Sequence, residues 1–137
     1  MPIFLFLILF LSGHINAMQA DSRIFVAGHH GLVGSAICKN LIAAGYKNLI
    51  LRSSGELNLC NQVAVEDLKK KKKPEHVFLA AAKVGGIQAN IDYPAQFIYE
   101  NLMIQSNVIH TAYKYGVKKL LFLGSSCIYP RDCPQPI

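Results

Sequence analysis

The feature that most narrows the fold of this chain is Gly28-His29-His30-Gly31-Leu32-Val33-Gly34, three glycines spaced by threes. It lies between two patterns of different period. Before it, Ile24-Phe25-Val26-Ala27 is apolar without interruption, which suits a strand covered on both faces. After it, Val33, Ile37 and Leu41 recur every four residues, one apolar stripe on a helix that Gly45 can close. Glycines at such a strand-to-helix junction let a loop carry phosphate on the free N–H groups of the helix start. Gly28 would permit the tight turn, Gly31 the approach of a diphosphate, and Gly34 close helix–strand packing. The loop, with His29, His30, Leu32 and Val33, is therefore a candidate dinucleotide site.

The same alternation continues downstream. Leu49-Ile50-Leu51 reads as a second strand. A helix is expected from Val63, its lysines at the carboxyl end where the macrodipole favours cations and Pro74 just beyond. Val77-Phe78-Leu79-Ala80 reads as a third strand. A long helix then starts near Tyr93-Pro94, capped by Asp92 or Tyr93, and runs through Phe97, Asn101, Ile104, Val108 and Ala112 to Gly116. Leu120-Leu121-Phe122-Leu123 is the fourth strand. Parallel strands need crossovers, and those are right-handed, so this order predicts an α/β fold. The expected form is a truncated, Rossmann-type doubly wound parallel sheet.

Residues 21–137 are expected to form one incomplete NAD(P)-binding domain, with the substrate domain absent. Residues 1–20 are expected to be an apolar leader or a spurious extension. Their run at 3–11 has no Lys or Arg before it and is shorter than the roughly 20 residues a bilayer span needs. A cytoplasmic setting is expected for the domain behind it.

Charge points to no special partner. The net charge of +6 traces to Lys69-Lys70-Lys71-Lys72-Lys73, without which nine basic residues face eight acidic ones. One lysine run without interleaved aromatics reads as a solvated helix end, so nucleic acid is not an expected partner. Cys38, Cys60, Cys127 and Cys133 form no Cys-x-x-Cys pair and no zinc-type spacing, so neither a metal site nor a disulfide framework is expected.

The strand ends carry the candidate chemistry. An NAD site usually has Asp or Glu at the end of the second strand, to hold the ribose 2′-hydroxyl. Here that strand ends Leu51-Arg52-Ser53-Ser54, with no acid before Glu56. A guanidinium and two hydroxyls suit a 2′-phosphate, which favours NADP(H) over NAD; a merely solvent-facing Arg52 is the alternative. After the third strand, Ala80-Ala81-Ala82-Lys83-Val84-Gly85-Gly86 is small enough to lie against a cofactor, with Lys83 facing a substrate phosphate or water. Gly124-Ser125-Ser126-Cys127-Ile128-Tyr129-Pro130 follows the fourth strand and should face the same crevice. A serine there can hydrogen-bond a carbonyl or alcohol, and a thiol of tuned pKa can act as acid or base. By position alone, a buried serine and a packed cysteine fit equally well.

The glycine loop through Ser35-Ala36, the segment Leu79 through Ile87, and the segment Leu120 through Pro130 together resemble the GDP-L-fucose synthase family of extended short-chain dehydrogenase/reductases. The resemblance covers residues 23–137. It implies NADPH as hydride donor, a GDP-sugar substrate (GDP-4-keto-6-deoxymannose), epimerisation at two sugar carbons before reduction, and a homodimer. It also implies residue roles. Gly28 to Gly34 would form the diphosphate loop, and Ser54-Gly55-Glu56-Leu57-Asn58-Leu59 the adenosine side. Leu123, Gly124, Ser125 and Ser126 would line the nicotinamide side, with Ser125 polarising the ketone and Cys127 acting as acid/base. The family often has Arg where His30 stands, and bacterial members can have Arg where Ser54 stands.

Catalysis in that family needs Tyr-x-x-x-Lys on a helix after the serine strand, where i and i+4 share a face. The chain contains Tyr115-Gly116-Val117-Lys118-Lys119, but Gly116 breaks the helix and the pair precedes the serine strand. As written, the chain is expected to be an inactive fragment of the enzyme. A non-catalytic NADP-binding module and an NAD-dependent sugar-nucleotide epimerase or dehydratase are the competing readings.

Overall fold

The computed structural model describes residues 18–125, 129, 130 and 132–134. Strand β1 (Ile24–Ala27) is buried along its whole length. Successive strand side chains point to opposite faces, so β1 feeds two cores. Phe25 and Ala27 pack with Val65, Leu68, Val77, Leu79 and Val108 on one face. Ile24 and Val26 pack with Cys38 and Leu41 on the other. This is the doubly covered strand that the apolar run demanded.

The elements follow as α1 (Leu32–Ala43), β2 (Leu49–Arg52), α2 (Gln62–Lys72), β3 (His76–Leu79), α3 (Ile87–Asp92), α4 (Pro94–Lys114) and β4 (Lys119–Phe122). The four strands form one sheet in the order β2-β1-β3-β4. All pairs are parallel, with Ile24 opposite both Leu49 and His76, and His76 opposite Lys119. The order reverses between β1 and β3, and ligands of such sheets bind outside the carboxyl ends of the strands at that point. Helices α2 and α4 cover the Phe25 face and α1 the other, as a doubly wound sheet requires.

Three details depart from expectation. The buried stripe of α1 is Gly34, Cys38 and Leu41, while Val33 is exposed. A Cβ on Gly34 would collide with the backbone carbonyl of Gly28, and this close seat fixes the rotation of the helix. Second, the lysine run is not wholly solvated: Lys69 is only 1% exposed, beside Val65 and Leu68 in the buried stripe of α2. Five consecutive residues exceed one turn of about 3.6, so one lysine of the five must face inward. Third, α3 occupies a stretch to which the sequence assigned no element; its six residues bury no side chain against the core.

The folded unit reaches ahead of residue 21. Met18 packs against the Ile24 core and its carbonyl accepts from Tyr46 Oη at 3.2 Å. Among the described residues no helix is long and apolar enough to cross a membrane.

Candidate functional site

At the carboxyl ends of β1, β2 and β3 lies a cavity of about 890 Å³, within the range of roughly 300–1,000 Å³ typical of small-molecule sites. Its walls come from segments far apart in sequence. Gly28, His29, His30, Gly31, Leu32 and Val33 form one wall, Arg52, Ser53, Ser54, Leu57, Asn58 and Leu59 the second, and the loop from Ala80 to Val84 the third. Leu123, just after β4, also borders the cavity.

The glycines divide the labour of the first wall. Gly28 turns at φ +83°, and a Cβ there would sit 2.7 Å from the Ala80 carbonyl oxygen. Gly31 is less confined, its nearest neighbour to a Cβ being the Gly28 oxygen at 3.3 Å. It precedes α1, and no side chain caps that helix. By contrast, Asn61 caps α2, its side chain accepting from Ala64 N at 3.1 Å. An uncapped helix start carries partial positive charge and N–H donors without intrahelical partners. A diphosphate fits such a cradle; a side chain at residue 31 would intrude on it.

The second wall is tied down by its own acid. Glu56 Oε2 accepts from Ser53 N and Ser53 Oγ, both at 2.8 Å. Those bonds, with Arg52 and His29 nearby, hold the carboxyl below its usual range. Arg52 Nη1 donates to the Leu51 carbonyl at 2.6 Å. The His29 and His30 rings stack edge to face with centroids 4.0 Å apart. Burial, and His30 beside it, lower the His29 pKa, against a smaller opposing pull from Glu56.

Helix α4 buttresses two of the walls. Asn101 Oδ1 accepts from Lys83 N at 2.8 Å, and Asn101 Nδ2 donates to Lys83 O at 3.0 Å. Asn107 Nδ2 donates to Leu59 O at 2.9 Å. Lys83 Nζ pairs with Glu100 Oε1 at 3.3 Å, so its charge is matched within the chain. Sequence reasoning placed Asn101 only in an apolar helical stripe. Its polarity among Phe97, Ile104 and Val108 was the available signal.

Not every expected site residue borders the cavity. Gly34 lies beneath the loop, Gly55 and Glu56 face solvent, and Gly124 and Ser125 lie exposed beyond Leu123. Ser126 and Cys127 fall outside the described residues. Tyr115 and Lys119 are separated as the sequence predicted. Tyr115 follows α4 and its Oη lies 3.3 Å from Glu66, while Lys119 begins β4 at the end away from the cavity. Among the described residues no group of three or more His, Cys, Asp or Glu side chains could hold a metal ion.

Comparison with known proteins agrees with this geometry. The chain is 58% identical over 128 residues to GDP-L-fucose synthase 1 of Arabidopsis thaliana, covering 93% of this chain and 40% of that protein. It is 56% identical over 119 residues to GDP-L-fucose synthase of Escherichia coli (strain K12), covering 87% and 37%. The chain thus spans well under half the length of these curated relatives. A Campylobacter jejuni GDP-mannoheptose C4 reductase solved with NADP bound superposes with a TM-score of 0.83 at 48% identity, covering 88% of this chain and 38% of that one. The profile of the NAD dependent epimerase/dehydratase family matches residues 24–137. With that match across the whole sheet and the cavity at its carboxyl edge, the chain belongs to the NAD dependent epimerase/dehydratase family.

Proposed function

We propose that this chain is the dinucleotide-binding part of an NADP-dependent epimerase-reductase that converts GDP-4-keto-6-deoxymannose to GDP-L-fucose. The observation that carries the reading is the meeting of the uncapped α1 start with the ends of β1, β2 and β3 around one cavity. In this reading Gly28 to Gly34 hold the diphosphate. Arg52 and Ser54 face the 2′-phosphate, and the backbone from Gly55 to Leu59 borders the adenosine. Leu123, Gly124 and Ser125 flank the nicotinamide. Bound NADPH supplies the hydride. Ser125 donates a hydrogen bond to the sugar ketone, and Cys127 exchanges protons at the carbons that invert.

The relatives named above support the substrate class, since the curated ones are GDP-L-fucose synthases and the solved one is a GDP-sugar reductase. A homodimer fits the outer face of α4. Ile98, Leu102, Ile109 and Tyr113 stand exposed there in one stripe, and exposed apolar patches mark interaction surfaces. One observation favours an NAD-dependent epimerase instead: Glu56 folds back onto Ser53 and sets a carboxylate at the end of β2.

The test is NADPH oxidation in the presence of GDP-4-keto-6-deoxymannose. A protein containing this segment and a downstream Tyr-x-x-x-Lys should consume NADPH only when the keto sugar is present. The 137-residue chain alone should bind the cofactor without turnover. Substrate-dependent NADH oxidation in place of NADPH oxidation would move the assignment to the NAD-dependent reading.

A further inference from the structure

The two edges of the sheet carry different chemistry. The cavity opens at the carboxyl ends of the strands. At the amino ends, the register sets Ile24 beside Leu49 and His76, and His76 beside Lys119. The residues that lead into these strands are laced together there. Arg23 Nε donates to the Lys73 carbonyl at 2.7 Å, and Lys118 Nζ pairs with Glu75 Oε1 at 2.8 Å. Asn48 Nδ2 donates to the Asp21 carbonyl at 2.6 Å, which brings Lys47 to the same edge. Helix α2 ends here as well, since it runs from the end of β2 back to the start of β3.

The lysine run, a local feature in the sequence, thus becomes part of a larger surface. Arg23, Lys47, Lys70 to Lys73, Lys118 and Lys119 all stand exposed at this edge. Among the described residues, the acids set against these eight cations are Asp21, Asp67 and Glu75, while Glu66 is matched by Lys114. The carboxyl ends of α1, α2 and α4 add only about −0.5 charge each, so the edge stays positive. Among the described residues, Lys47, Lys70, Lys72, Lys73 and Lys119 enter no ion pair. The outer strands of a four-stranded sheet lie about 15 Å apart. With a screening length of about 10 Å, neighbouring charges therefore act on one surface together.

The chain reaches this edge from an apolar sequence. Met18 packs on the Ile24 core, and the chain then passes through Asp21 and Arg23 into β1. Upstream, Ile3 to Leu11 are nine uninterrupted apolar residues, joined to Met18 by residues 12–17. That linker can span at most about 20 Å. Nine residues are too few to cross a bilayer but enough to enter its interface. One apolar anchor binds marginally, and a basic patch beside it is the second signal that makes attachment stable. A nucleic acid would use the lysines but has no place for the apolar run. The geometry points to an anionic membrane surface as the partner of this edge, held by the exposed lysines and by insertion of residues 3–11. The cavity at the opposite edge then faces away from the lipid and stays open to solution.

Flotation of the full chain with vesicles is the test, because lipid-bound chain rises while aggregate sinks. The vesicles are phosphatidylcholine with and without about 30 mol% phosphatidylserine. In about 0.1 M salt the chain should bind the anionic vesicles at least about tenfold tighter, and about 0.5 M salt should erase most of that preference. Lys70→Gln, Lys72→Gln and Lys119→Gln combined should do the same at low salt; all three side chains are exposed, and circular dichroism checks the fold. Phe6→Gln with Ile8→Gln should weaken binding to both kinds of vesicle. Equal binding to both vesicles, a preference that salt leaves intact, or either variant binding like the parent would overturn the proposal. Tighter binding to duplex DNA than to the anionic vesicles would also overturn it and give the edge to nucleic acid.

Discussion

Lys83 and Asn101 exchange two hydrogen bonds, the side-chain amide of Asn101 pairing with both the backbone N–H and the carbonyl of Lys83. Asn101 thereby does for the loop after β3 what a neighbouring strand would do, and it fastens the third wall of the cavity to α4. Asn101→Ala should strand both backbone groups and cost about 1–3 kcal/mol. Chemical denaturation would measure that loss, and amide exchange at Lys83 should quicken more than exchange in β1. Unchanged exchange at Lys83 would show that the loop holds its place without the amide.

Lys69 imposes a cost on the fold. Its amine lies over the Phe25 ring, 5.2 Å from the centroid, with no hydrogen-bond partner, and burial lowers its pKa to about 8. The folded chain therefore binds fewer protons than the unfolded one between about pH 8 and the ordinary lysine value of ~10.4. Stability should rise with pH across that window, and the full penalty, about 3 kcal/mol, should apply below it. Lys69→Met keeps the aliphatic volume and should stabilise the chain at neutral pH by about 1–3 kcal/mol. Denaturation midpoints at pH 7 and pH 10 check both statements; a destabilised Lys69→Met would contradict them.

A second pH effect should appear on the acid side. His76 begins β3 at 3% exposure with Nδ1 unpartnered. Burial first, then Lys118 and Lys119, hold its pKa below the ordinary value against the opposing pull of Glu75. The folded state thus takes up its proton later than the unfolded state. Stability should fall as pH drops through about 6.5 and level off below the folded-state value. His76→Val should shrink the loss between pH 7.5 and pH 5.5, leaving a remainder from His29. An equal loss in parent and variant would place the acid sensitivity elsewhere.

Two glycines separate packing from flexibility. A Cβ on Gly34 meets the Gly28 backbone, whereas one on Gly55 meets nothing within 4 Å. Gly34→Ala should destabilise by about 1–3 kcal/mol through overpacking, while Gly55→Ala should be neutral or gain up to about 1 kcal/mol. Thermal unfolding of the pair decides the matter, and equal midpoints would remove the packing role of Gly34.

The succession of strands and helices along the chain and the position of the glycine loop were legible because both rest on local pattern. A four-residue apolar run leads to a buried strand, and Gly28 leads to a turn at positive φ. Strand ends shifted by a residue, His76 entering β3 and Arg52 entering β2. The fates of Lys69, Glu56 and Asn101 were less visible because each depends on contacts outside its own segment. Lys69 points inward because of the phase of α2. The Glu56 carboxylate is set by the turn after β2. Asn101 acts through a loop 18 residues away.

The central claim is that Gly31 and the open start of α1 receive the diphosphate of a nicotinamide dinucleotide. Calorimetric titration of the chain with NADP+, beside Gly31→Leu, tests it most directly. The parent should bind one equivalent, and the folded variant, with a side chain thrust into the cradle, should lose at least about tenfold in affinity. Saturable binding that is equally tight in both would place the dinucleotide elsewhere, and no binding by a folded parent would contradict the claim outright.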